Sequence, residues 1–94
     1  MPLDMTPAQA IEAAHTGRDD TDLGRLLADW KADVANCSQC INFAEHAADE
    51  GRANHAHEAK RSAEDLFARA CLKREAIDTM IRDMLAADAR QVAA

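Results

Sequence analysis

Three cysteines and four histidines are the side chains of this chain with the most chemistry in them. Cys37-Ser38-Gln39-Cys40 is a Cys-x-x-Cys pair, and Cys71 stands apart from it. In a thioredoxin-like centre the first thiol of such a pair sits at a helix N-terminus, where the helix dipole lowers its pKa. Here no strand pattern surrounds the pair and the apolar spacing places it mid-helix, so redox catalysis is not expected. Metal binding is the other use of these thiols. Side chains at i and i+3 share a helical face, and Cys71 on a facing helix brings a third donor. Zinc prefers four ligands, often from two loop-borne cysteine pairs, and this chain has a single pair. The plainer reading makes Cys37 and Cys71 small buried apolar groups. No metal or cofactor is expected; Cys37, Cys40 and Cys71 are the residues that would ligate one.

The remaining polar motifs are thinner. Glu12-Ala13-Ala14-His15 is a Glu-x-x-His, but a di-iron carboxylate bundle needs two such motifs and two further glutamates. His55 and His57 are two residues apart, so on a helix they point in different directions. Serine occurs only at 38 and 62, and no Ser-His-Asp set, glycine-rich phosphate loop or carboxylate pair is evident. An enzyme is therefore not expected.

What positions these side chains is a helical seam. Leu23, Leu27, Trp30, Val34, Cys37, Ile41, Ala44 and Ala48 follow alternating spacings of four and three, which keeps one stripe of a helix against a partner helix. Thr6-Pro7-Ala8-Gln9 has the form of a helix start, with Thr6 as cap, Pro7 in the first turn and Gln9 reaching back as in a capping box. Gly17 stops that helix. Asp19-Asp20-Thr21-Asp22 is a second capping cluster. Gly51 suits a left-handed helix end and Asn54 can cap the next helix. The expected architecture is all-α: a short helix over about residues 7–16, then an antiparallel, coiled-coil-like hairpin of about residues 22–50 and 55–90, within a single domain. A continuous rod over 22–90 paired with a second chain is the alternative, since one glycine costs a helix only about 1 kcal/mol.

With its turn near residue 52, the hairpin sets residue i against about residue 105 − i. That places Cys71 about one turn from Cys37. Helix 3 overhangs, and its face of Ile77, Met80, Ile81, Met84 and Leu85 is too wide for one seam. Helix 1 is expected to cover part of it through Leu3, Met5 and Ile11, and Met80 and Met84 remain candidates for an interface.

Composition narrows the function classes. In 94 residues, 48% are hydrophobic but only 3% aromatic, and much of the apolar share is alanine. So thin a core favours a partner, either a second copy in a dimeric bundle or another protein. The net charge of −6 carries no basic stripe, so direct nucleic-acid binding is not expected. No apolar run approaches the roughly 20 residues of a membrane span. The N-terminus lacks the pattern of a signal peptide, and an odd cysteine count suits reduced thiols, so a cytoplasmic location is expected.

The acidic residues Asp19, Asp20, Asp22, Asp29 and Asp33 form the one charge run. They read either as favourable charge near a helix N-terminus or as a patch that steers a basic partner. Phe43 lies opposite the seam between Cys40 and Ala47, a large aromatic among small neighbours, as interface anchors are. The expected partner surface therefore comprises Phe43, Cys40, Ala47, Asp29, Asp33, Met80 and Met84. The partner is expected to be a protein or a protein–nucleic acid complex. Small acidic helical proteins of this size include phage-encoded inhibitors of host machinery, anti-CRISPR proteins among them. That analogy is one of size and charge, and it implies binding without chemistry.

Overall fold

The computed structural model describes residues 4–93, with the side chains of 92 and 93 left out of the description. It is all-α: α1 spans Pro7–His15, α2 Asp22–Asp49 and α3 Ala53–Ala93, with no strand among the described residues. The hairpin of α2 and α3 is formed, and the two helices pack against each other.

The helix ends follow from local chemistry. Thr6 accepts from the Gln9 backbone N–H at 3.2 Å, and the Gln9 side chain accepts from the Thr6 N–H at 2.9 Å, which completes the capping box. Gly17 closes α1 with a φ of +84°. Thr21 caps α2 by accepting from the Gly24 N–H at 3.0 Å. Between α2 and α3 the chain makes a full Schellman turn: Gly51, at φ +77°, donates to Ala48 O at 3.1 Å and Arg52 donates to Ala47 O at 2.8 Å. This turn is so short that α3 starts at Ala53, two residues before the expected start. Asn54 lies inside the helix and is not its cap.

The chain divides into two compact units. The first comprises Met1–Ala28 and Arg74–Ala94, so it holds α1, the start of α2 and the end of α3. Its core is made of large side chains: Leu23, Leu27, Ile77 and Ile81 are buried, with Ile11, Leu26, Met80, Met84 and Leu85 half-buried around them. Within this unit α1 lies along α3, tied by Glu12 Oε1 to Arg74 Nη2 at 2.6 Å. It covers part of the wide face, as expected; Met5 is half-buried and Leu3 lies outside the described residues. Gly24 is buried, and a Cβ there would overlap the Arg18 carbonyl oxygen. Only glycine lets the α1–α2 loop fold back so closely.

The second unit, Asp29–Lys73, is a two-helix hairpin with a different core. On α2 the inward positions are Trp30, Asp33, Cys37, Cys40, Ala44 and Ala47, and on α3 they are Ala56, Ala59, Ala63, Leu66, Ala70 and Lys73. The expected seam is thus corrected beyond Trp30. Asp33 takes the place given to Val34, Cys40 that of Ile41 and Ala47 that of Ala48, while Cys37 and Ala44 stay. At the point of the shift a buried acid, Asp33, occupies a core slot and the apolar Val34 beside it faces outward. The register is also tighter than expected. Cys37 Sγ donates to Ala63 O at 3.3 Å, and Asp33 faces Arg69. Residue i of α2 therefore faces about residue 101 − i of α3, because the Schellman turn uses fewer residues than the expected loop.

Candidate interaction surface

The small residues that line the second unit let its helices approach closely but remove little apolar area from water. Apart from Trp30 and Leu66, the larger apolar side chains of this unit are on the outside. Val34 is 42% exposed, Ile41 46%, Phe43 48%, Phe67 63% and Leu72 67%. These are the exposed large hydrophobic residues among those described, and all five fall within Asp29–Lys73. Large outside and small inside is the reverse of a self-sufficient hairpin.

Four of the five outward residues, Phe43, Val34, Ile41 and Phe67, lie on two flanks. In the corrected heptad frame Phe43 precedes the Ala44 position, whereas Val34 and Ile41 follow the Asp33 and Cys40 positions, which puts them on opposite sides of the seam. On one flank Phe43 borders a groove with Gln39, Cys40, His55, Glu58 and Ser62. The Arg52 guanidinium lies 5.7 Å from the Phe43 ring centre, within cation–π range, and also pairs with Glu50 at 2.9 Å. On the other flank Ile41 and Phe67 line a groove with Lys60 and Glu64, floored by Cys37 and Ala63. Val34, one heptad before Ile41, faces Phe67 in the register.

Between the flanks sits a charged layer. Asp33 is 5% exposed. Its Oδ2 lies 2.7 Å from Lys73 Nζ, and its Oδ1 lies 3.6 Å from Arg69 Nη2. Oδ2 and the Lys73 ammonium form a close ion pair. Lys73 holds the Asp33 carboxyl below the ordinary carboxylate range; burial opposes this and Arg69 adds to it. The sequence reading missed this layer. The signal was present, since Asp33 lies four residues before Cys37 and Arg69 and Lys73 share a helical face.

Phe43 is exposed and Cys40, half-buried, borders its groove. Ala47 is corrected: at 0% exposure it belongs to the seam and offers nothing to a partner. Asp33 is corrected too, because its charge is buried and paired within the hairpin. Asp29 is exposed. Met80 and Met84 are half-buried in the first unit. The acidic run is not one patch: Asp20 pairs with Arg18 at 2.7 Å, which holds its carboxyl low, and Asp22 pairs with Arg25.

The three thiols do not assemble. Cys37 is buried, Cys40 half-buried and Cys71 exposed. Among the described residues no group of three His, Cys, Asp or Glu side chains is gathered to hold a metal ion. Cys71 faces about residue 30 in the observed register, too far along the helix to meet the other pair. Glu12 and His15 serve structure instead. Glu12 pairs with Arg74, which raises the Arg74 pKa, and His15 Nδ1 lies 3.0 Å from Thr21 Oγ1. His55 and His57 are exposed near the turn. No helix among the described residues is long and apolar enough to cross a membrane. No protein family, curated protein or solved structure matches the chain.

Proposed function

We propose that the chain is a non-enzymatic interaction module. It binds a larger macromolecular partner, a protein or a protein–nucleic acid complex, in the manner of a phage-type inhibitor of host machinery such as an anti-CRISPR. The observation that carries this reading is the inverted hairpin: every exposed large hydrophobic side chain among the described residues belongs to Asp29–Lys73, around a core of mostly small ones. Such side chains gain burial only from a second surface. Phe43 is the anchor, with an aromatic face, an arginine above it and a groove of polar side chains beside it. Aromatic and arginine side chains are the groups on which binding energy concentrates. The exposed Asp29 and the net charge of −6 favour approach to a basic surface.

Phe43→Asp tests this directly. The ring is half exposed, so the helices should keep their far-ultraviolet circular dichroism while capture of the partner from an extract of the cells that make the protein is lost. Capture that survives the substitution contradicts the reading.

A further inference from the structure

The flank opposite Phe43 has a symmetry of its own. Lys31, Val34, Ser38, Ile41 and Glu45 follow alternating spacings of three and four, so they form one stripe along α2, and all five are exposed. Ser38 is the centre of the stripe. Val34 and Ile41 lie on either side of it. Lys31 and Glu45, of opposite charge, lie seven residues away in each direction, about 10 Å along the axis. Neither enters an ion pair among the described residues. A stripe of this kind is complementary to itself when turned end over end. A second α2 laid antiparallel about a twofold axis at Ser38 sets Val34 beside Ile41 of the other copy, and Lys31 beside its Glu45. The serine at the axis lets the two helices come close. Phe67 stands level with Val34 in its own hairpin, so it reaches the same Ile41 from the side. This is the matching that an isologous interface requires, where one patch serves both copies.

We propose that a second copy of this chain covers the Val34, Ile41 and Phe67 strip, by antiparallel packing of α2 on α2 about Ser38. The reading goes beyond the Phe43 anchor and does not depend on it. In the heptad frame the Phe43 groove is on the other flank and stays open in the dimer. Self-association and capture of a foreign partner then use different faces.

The test is charge reversal on the intact chain, read by sedimentation equilibrium from low micromolar to near-millimolar concentration. The wild type forms dimers. Lys31→Glu and Glu45→Lys each replace two attractive contacts by two repulsive ones, so each weakens self-association about tenfold or more. An equimolar mixture of the two variants restores the dimer, because each chain then offers the charge the other lacks. Both positions are exposed, and an unchanged far-ultraviolet signal confirms that the helices persist. Ser38→Arg, which sets like charges across the axis, also removes the dimer. A wild type that stays monomeric throughout overturns the proposal. So do variants that dimerise as the wild type does, a mixture that fails to reassociate, or a strip found covered by a foreign protein in place of a second copy.

Discussion

Asp33 carries more of the second unit's specificity than its size suggests. A carboxylate buried between two helices is tolerated only with a compensating charge, and Lys73 and Arg69 supply it across the seam. Its carboxyl is held below the ordinary range in the folded protein. The contribution to stability is therefore complete above the ordinary carboxylate pKa of about 4 and drains away as the pH falls through the lower folded value. We expect Asp33→Asn to melt below the wild type at neutral pH, with a gap that narrows as the pH drops from 5 towards about 2. Thermal melts across that range check this, and a gap independent of pH contradicts it. The same residue explains where sequence reading fails. Capping chemistry at Thr6, Gln9, Gly17 and Gly51 is legible because it depends on neighbours within a few residues. The seam is not, because the apolar rule passes over a paired acid and selects Val34 in its place.

At the scale of the elements, α2 and α3 are held in register by contrast rather than by bulk. Alanine fills half of the inward positions of the second unit, and one alanine layer packs much like the next. Trp30, Leu66 and the Cys37–Ala63 hydrogen bond distinguish one alignment from its neighbours, and the Asp33–Lys73–Arg69 layer adds a charged mark, as a single polar layer does in a coiled coil. Replacing Asp33 by Ala together with Lys73 by Met removes the ionic layer and keeps the lysine stem. We expect the melting temperature to hold or rise, since buried ion pairs seldom outperform apolar packing. We expect the alignment to become degenerate, visible as doubled amide resonances across residues 29–73. A single set of resonances in the wild-type register contradicts the account. The hairpin itself was readable, because Gly51 marks a stop and helix-forming residues resume at once. Its register was not, because the length of the turn depends on the Schellman bonds of Gly51 and Arg52, and these need only two residues beyond the helix.

At the scale of the whole molecule, the two units differ in kind. The first buries leucine and isoleucine, whereas the second buries mostly alanine and turns its phenylalanines outward. The thin core was legible in a composition rich in alanine and poor in aromatics. Phe43 was legible as an outward aromatic. The strip of Val34, Ile41 and Phe67 was not, since apolar spacing alone puts its two α2 members in the seam. We propose that these outward side chains are covered in the cell. Hydroxyl-radical footprinting measures that directly, by comparing dilute purified protein with protein in an extract of the cells that make it. Leu23, Leu27 and Ile77, buried within the chain, should stay unlabelled in both. We expect Phe43, Ile41 and Phe67 to label strongly when dilute and to be protected in the extract. Equal labelling of these three residues in both samples would contradict it.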